Sequence, residues 1–234
     1  MKPNETWKVI DHGHLEELGE NLYTVTGKLP MPLGETVRRM TIARLADGRL
    51  LVFSAISLAE AEMAKLDALG PVGFLVVPSG IHRMDIKAWA ARYPRARVIA
   101  PAGARKKVEE LVRVDATTLE TADPRVQLIA VPGTGDQEFA LLVTTGSTKT
   151  LVVTDLIFNL PRLRGFAQFA YRLFGFGPGH PTQPALVRMS LVKDKAAMRA
   201  QLRAWADDPA IERILVSHGA PIEHPRETLL ELAV

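Results

Sequence analysis

Short apolar runs, each closed by a turn-forming or polar residue, are the feature that most constrains the fold of this chain. Residues 73–78 (GFLVVP) and 213–217 (RILVS) are two examples. Runs of this length suit strands that are buried on both faces, whereas a membrane-spanning helix needs about 20 apolar residues. The chain therefore predicts sheets at the centre of the protein and no membrane span.

These runs alternate with segments of helical spacing. Further strands are expected at residues 21–27, 38–44, 50–54, 98–100, 126–131, 139–145 and 150–154. Helices are expected at residues 57–69, with Ser57 as N-cap, and at 85–93, 102–111, 193–207 and 225–232. Residues 28–34 contain Pro30 and Pro32 and predict a loop. This order of elements predicts an α/β (α+β) protein with two mixed sheets covered by helices, in one domain spanning residues 1–234.

The composition narrows the chemistry. The chain has 234 residues and no cysteine, which excludes disulfides, zinc thiolates, iron–sulfur clusters and a cysteine nucleophile. Any metal must be held by histidine, carboxylate or backbone oxygen. The formal net charge is +3, with lysine and arginine scattered beside acidic residues, so a nucleic-acid partner is not expected. The N-terminal residues lack the apolar core of a signal peptide, which predicts a cytoplasmic location.

Four polar residues follow the ends of predicted strands. His82 and Asp85 come after the strand that ends at Pro78, Asp155 follows the strand 150–154, and His218 follows the strand 213–217. Ligands collect beyond the carboxyl ends of strands in open α/β sheets. Imidazole and carboxylate groups are ligands for zinc, iron or manganese. The pattern predicts a metal or acid–base site at one sheet edge, although each residue alone also fits a cap or turn role.

The other histidines carry a weaker signal. His12 and His14 precede the first clear strand and are expected in a surface loop or an exposed strand. His180 lies in a glycine- and proline-rich loop that could fold over a site, and His224 precedes a helix. The roles of His12, His14 and His180 stay open at this point.

An aromatic segment at residues 160–176 (LPRLRGFAQFAYRLFGF) combines five aromatic residues with three arginines. The simplest interpretation is a helix that packs its aromatic side on the core. Two more specific functional alternatives are a lid over a pocket and a homodimer contact. Both are favoured over docking on a membrane surface. We treat residues 160–184 as an aromatic-rich insertion.

The order of motifs from about residue 22 to residue 222 resembles a divergent branch of the metallo-β-lactamase superfamily. The resemblance rests on the Asp47-Gly48 hairpin, the turn 78–85, the turn 131–134 (VPGT), Thr154-Asp155-Leu156 and Ser217-His218-Gly219. It implies a four-layer αββα sandwich with a metal site at the edge of two sheets. It also implies that Asp155 matches the family's late aspartate and His218 its last histidine.

The chain departs from that family at several ligand positions. The family motif H-x-H-x-D-H corresponds to residues 79–85 (SGIHRMD), where only His82 and Asp85 could serve. Thr134 stands where the family's P-G-H-T turn has histidine. The remaining residues suffice for one cation and not two.

These departures define the functional hypotheses. The leading one is a metallo-hydrolase-like protein with an unknown small-molecule substrate. His82, Asp155 and His218 would hold one divalent cation, zinc, iron or manganese. Asp155 would also act in catalysis, and Asp85 would be a ligand, a catalytic group or a support for the ligands. The alternatives are a metal-free binding protein on the same fold and a metal-independent acid–base enzyme using His82, Asp155 and His218.

Overall fold

The computed structural model describes residues 3–31, 34–162, 165–173 and 175–233. Two sheets form the centre of the protein, as expected. The first contains six strands in sequential order, β1 (Glu16–Gly19), β2 (Leu22–Met31), β3 (Gly34–Arg44), β4 (Leu50–Phe53), β5 (Val72–Val76) and β6 (Arg97–Ile99). The second contains five strands, which are β7 (Val126–Ala130), β8 (Phe139–Thr145), β9 (Thr148–Val153), β10 (Ile211–Val216) and β11 (Ile222–Glu223), also adjacent in chain order.

Helices connect and cover these strands. They are α1 (Glu60–Leu69), α2 (Ile86–Arg92), α3 (Arg105–Val108), α4 (Gly165–Leu173), α5 (Ala185–Leu191), α6 (Lys195–Ala206) and α7 (Arg226–Leu232). Both sheets are mixed. In the first, β1 to β4 pair antiparallel and β4 to β6 parallel. In the second, β9 and β10 form the parallel pair and the other neighbours are antiparallel.

The apolar core lies in three layers because successive strand residues point to opposite faces. In β4, Leu51 and Phe53 pack between the two sheets against residues such as Phe139. The alternate residues Leu50 and Val52 pack outward against α1 and α2. A third cluster joins the second sheet to α6 and α7, with Met198, Leu202, Trp205 and Leu229 as helix residues. Two sheets face to face with helices on both outer faces make a four-layer αββα arrangement.

The predicted loop at residues 28–34 is wrong in its extent. Strand β2 continues through Met31 and β3 begins at Gly34, with Pro30 opposite Glu35. Proline is tolerated there because the backbone partners on this edge of β2, first β1 and then residues 11–13, extend only as far as Lys28. The missing N–H of Pro30 therefore removes no ladder bond to β1.

Two helix predictions also need correction at their ends. Helix α1 begins at Glu60 and has Ala59 at its N-cap without a side-chain bond. Ser57 does not cap it, because its hydroxyl donates instead to Asp85 (3.0 Å). Helix α3 is limited to four residues rather than ten. By contrast, helix α6 lies within the predicted range 193–207, and Asp194 caps it by accepting bonds from two backbone N–H groups.

The aromatic segment 160–176 contains helix α4. Residues 163, 164 and 174, which include Arg164 and Phe174, lie outside the described residues, as does the side chain of Phe166. Phe158, Tyr171 and Phe176 form an edge-on aromatic chain, whereas Phe169 is 64% exposed. The segment thus packs part of its aromatic side and leaves part in solvent. In the part of the chain that the structure describes, no helix combines the length and apolarity needed to cross a bilayer.

Candidate metal centre

The structure brings together three of the four predicted site residues. His82, Asp155 and His218 each offer a ligand atom within 4.8 Å of the others. We call these residues the triad. Asp155 and His218 meet because β9 and β10 are parallel and Val153 is paired with Val216. Each residue stands two positions beyond that pair, at the carboxyl edge of the sheet. His82 reaches the same place from the loop after β5.

Asp155 lies between the two imidazoles. Its Oδ2 is 3.1 Å from His82 Nε2, and its Oδ1 is 3.5 Å from His218 Nε2. The two imidazole centroids are 5.5 Å apart. All three side chains are about nine-tenths buried. Both imidazoles therefore present the same ring atom, Nε2, to one carboxylate.

The distal nitrogens of the imidazoles fix the ring orientations. His218 Nδ1 lies 2.9 Å from the carbonyl oxygen of Val37. A carbonyl only accepts hydrogen bonds, so Nδ1 carries the proton and donates. His82 Nδ1 contacts Ser54 Oγ at 3.0 Å. Ser54 adopts a positive φ of 59°, a conformation that costs about 1–3 kcal/mol and is often found at functional sites.

The loop that carries His218 is held from both sheets. The Arg39 guanidinium on β3 donates to the carbonyls of Val216 (3.0 Å) and Gly219 (3.2 Å). Gly219 has a φ of 124°, and a Cβ there would lie 1.9 Å from the oxygen of Asn159. Phe158 stacks on the His218 ring with a centroid distance of 4.9 Å. His218 is consequently oriented by contacts on several sides.

A second carboxyl group, Glu138, lies behind Asp155. Its Oε1 accepts from the backbone N–H of Asp155 (3.4 Å), and its Oε2 is buried without a hydrogen bond. Burial, followed by the negative charge of Asp155, raises the pKa of Glu138 well above its usual value. Burial also acts to raise the pKa of Asp155, but the contacts with His82 and His218 outweigh it and keep this pKa below the ordinary range. Sequence reasoning missed Glu138, because a glutamate before an apolar strand gives no local signal.

The triad fits a divalent cation. In neutral His218 the proton on Nδ1 leaves an unshared pair on Nε2, which faces Asp155 Oδ1. Two acceptors at 3.5 Å repel one another unless a proton or a cation lies between them. Asp155 Oδ2 is also buried without a hydrogen bond of good geometry. Two imidazole nitrogens and a carboxylate oxygen are a donor set suited to zinc, iron or manganese.

Asp85, the fourth predicted site residue, lies in a different cluster. It is 1% exposed, and its Oδ1 accepts from Asn4 Nδ2 (2.8 Å) and Ser57 Oγ (3.0 Å). Its Oδ2 forms an ion pair with Arg38. We call Asn4, Arg38, Ser57 and Asp85 the anchor cluster. The structure does not place Asp85 among the residues that could share a cation with the triad.

The remaining histidines lie outside the triad. His12 Nε2 accepts from the backbone N–H of Ala59 (2.9 Å), and His14 contacts Glu62 (3.0 Å). His180 and His224 are exposed. Thr134 is fully buried and donates to the carbonyl of Val131 (2.8 Å). Its hydroxyl therefore stabilises the turn at 131–134.

The triad lines a pocket of about 800 Å³. The walls include apolar and aromatic residues, notably Leu29, Met84, Phe158, Leu160, Tyr171 and Phe176. The cationic residues of the lining, within the described part of the chain, are Arg38, Arg83 and Lys107. A few polar groups in a largely apolar concavity of this size are typical of small-molecule sites.

Solved structures similar to this chain are metallo-β-lactamases. The enzyme from Hirschia baltica aligns with a TM-score of 0.62 at 12% identity, over 97% of this chain and 96% of that chain. FIM-1 from Pseudomonas aeruginosa, in a mono-zinc form, gives 0.60 at 12% identity over 97% and 96%. TMB-1 gives 0.64 at 12% identity over 96% and 98%.

Sequence comparisons add no closer relationship. No protein-family model and no curated protein sequence matches the chain. The two mixed sheets, the helices on their outer faces and the nearly complete structural alignments together establish that this chain has the metallo-β-lactamase fold.

Proposed function

We propose that the protein is a metal-dependent hydrolase that uses one divalent cation. The observation that carries this proposal is the triad, whose ligand atoms lie within 4.8 Å of one another in the wall of an 800 Å³ pocket. Three protein ligands with an open position are the usual arrangement of a catalytic zinc site.

One cation rather than two follows from the donor count. Within the described ranges, the triad is the group of three or more His, Asp or Glu residues placed to share an ion. Thr134 has no imidazole, and its hydroxyl donates to the carbonyl of Val131, so it adds no ligand to the site. The similar enzyme FIM-1 has been solved in a mono-zinc form. This supports a single-metal state on the same fold.

A cation in this position would polarise a substrate oxygen and make water a stronger nucleophile. The protein's own residues would orient the chemistry. Val37 and Ser54 hold the outer nitrogens of the imidazoles, which fixes the direction of both Nε2 atoms. Asp155 contributes the single carboxylate of the triad. Asp85 supports the structure through Arg38 in this proposal and takes no part in the chemistry.

Elemental analysis of metal tests the proposal. Protein purified without chelator should contain about one equivalent of zinc, iron or manganese, consistent with a three-ligand site. His218→Ala should lose the metal, while His224→Ala, which changes an exposed histidine, should retain it. Metal-loaded protein should then hydrolyse members of an ester and phosphodiester panel. Wild-type protein that stays metal-free after addition of zinc or manganese would overturn the proposal.

A metal-free binding protein is the second candidate. The specific observation in its favour is Thr134, because its side chain stabilises a turn where the family carries a ligand. The apolar pocket would then be retained for binding alone. The cytoplasmic location, the homodimer contact and the single-domain organisation stay predictions.

A further inference from the structure

We propose that the pocket takes an amphipathic anion, with a negatively charged group on one side of the triad and an apolar acyl or aryl body on the other. The inference deepens the proposed function and rests on it in two respects, since it takes the triad as the place where the substrate bond is cleaved and counts a cation there in the charge balance. It is carried by two walls of different chemistry that flank the triad.

The first wall is aromatic and adjoins His218. Phe158 stacks on the His218 ring, and Phe176 contacts Phe158 edge-on at a centroid distance of 5.4 Å. Tyr171 extends the wall through an edge-on contact with Phe176 at 5.7 Å. Phe158 is buried, while Tyr171 and Phe176 are half-buried and line the pocket. This half-buried apolar surface would lose water contact on binding an apolar body.

The second wall is basic and adjoins His82. Arg83 follows His82 directly, and its Nη1 donates to the backbone carbonyl of Lys107 (2.8 Å), which fixes it on α3. Both Arg83 and Lys107 line the pocket. They contact the same carboxylate, Glu110, at 2.9 and 3.2 Å. Two cations that share one half-exposed carboxylate leave net positive charge at this wall.

The charge balance of the lining favours an anion. Among the described residues, Arg38, Arg83 and Lys107 line the pocket, with Asp155 as the carboxylate of that lining. Arg38 is neutralised by Asp85, but a divalent cation in the triad would more than offset Asp155. A cleft with an excess of positive charge and apolar walls attracts anions. An uncharged apolar molecule would form no ion pair with the basic wall.

Calorimetric titration with a matched pair of probes tests this. Decanoylglycine carries a carboxylate, and decanoylglycinamide has the same body without charge. Decanoylglycine should bind about tenfold or more tightly, the size of one part-buried ion pair. The double variant R83M/K107M should remove this difference, whereas Lys106→Met, on the same helix but outside the pocket lining, should preserve it.

A second set of variants tests the contribution of the aromatic wall to binding. Phe176→Ala should weaken binding of both probes about tenfold, because both lose the same apolar contact. Tyr171→Ala should act in the same direction. Leu173→Ala, which changes an exposed residue of the same segment, should have no effect on either probe.

Each titration is run on metal-loaded and chelator-treated protein. Preference for decanoylglycine in both states supports the assignment of substrate class, even if no metal binds and the hydrolase proposal fails. Equal affinity for the two probes or no binding of either in both states, or a preference that survives in chelator-treated R83M/K107M, would overturn it.

Discussion

Two buried polar clusters, one containing Asp85 and the other containing the nearby His82, differ in how their charges are satisfied. In the anchor cluster, both oxygens of Asp85 have protein partners, and Arg38 supplies a permanent positive charge. In the triad, Asp155 faces two histidines and keeps Oδ2 without a hydrogen bond of good geometry. Buried groups normally find partners, so a deficit beside a pocket indicates a place for a ligand.

The partners also differ in what they can do when a charge is lost. A histidine can release its proton and become neutral, whereas arginine keeps its charge at any ordinary pH. Removing Asp155 therefore leaves two histidines, which carry no permanent charge. Removing Asp85 leaves the guanidinium of Arg38 nine-tenths buried without its carboxylate. The same substitution at the two aspartates should separate a structural cluster from a functional one.

The largest expected effect is that of Asp85→Asn. Breaking a buried ion pair from one side costs about 3–5 kcal/mol of unfolding free energy, since the remaining charge is uncompensated. Urea denaturation followed by circular dichroism measures it. The metal content of the folded fraction should stay at the wild-type level. A loss below about 1 kcal/mol would contradict the structural role assigned to Asp85.

Arg39→Met should have the next largest effect. It removes the donors to the carbonyls of Val216 and Gly219 and leaves these acceptors unsatisfied, at about 2–3 kcal/mol. Because these carbonyls flank His218, affinity for zinc should also fall, by about tenfold. Denaturation and competition with a chromogenic chelator give the two values. Unchanged zinc affinity would show that Arg39 stabilises the fold without orienting His218.

Asp155→Asn should destabilise the metal-free protein less than Asp85→Asn does, because it leaves no permanently charged partner such as Arg38 buried without its carboxylate. Its metal affinity should fall by more than about 100-fold, beyond the usual effect of a residue that only supports a ligand. Urea denaturation and competition with a chromogenic chelator give the two values, and Asp85→Asn serves as the control. A variant that unfolds as readily as Asp85→Asn would remove the distinction between the clusters.

The smallest expected effect is that of Glu62→Gln, in a polar cluster that includes the exposed residues His14 and Lys65. Glu62 contacts Lys65, the backbone N–H of Leu15 and His14, and these contacts lower its pKa to about 2. A lowered pKa stabilises the folded protein above the unfolded value near 4.5, and this contribution is lost as the pH falls from about 4.5 to 2. Glu62→Gln should cost about 1 kcal/mol at pH 7 and nothing at pH 2, measured by urea denaturation. An equal cost at both pH values would contradict the assignment.

Much of the fold was predictable from local patterns. The hairpin between β8 and β9, the strand β10 and the helix α6 follow from short apolar runs, turn residues and helical spacing. These signals are strong because burial imposes the spacing of the element itself. The predictions were wrong where a contact with another part of the chain determines the local structure. Pro30 lies within β2 because the adjacent strand stops short, and Ser57 binds Asp85 rather than capping α1.

The sequence by itself determined which residues reach the carboxyl edges of the strands, because strand ends can be read from hydrophobic runs. On that basis it singled out His82, Asp155 and His218, together with Asp85. Only the tertiary structure decided that Asp85 is bound to Arg38, that Glu138 lies behind Asp155, and that basic and aromatic walls flank the triad. These contacts join residues far apart in the chain, and whether a polar group is free or satisfied depends on the partners that packing brings to it.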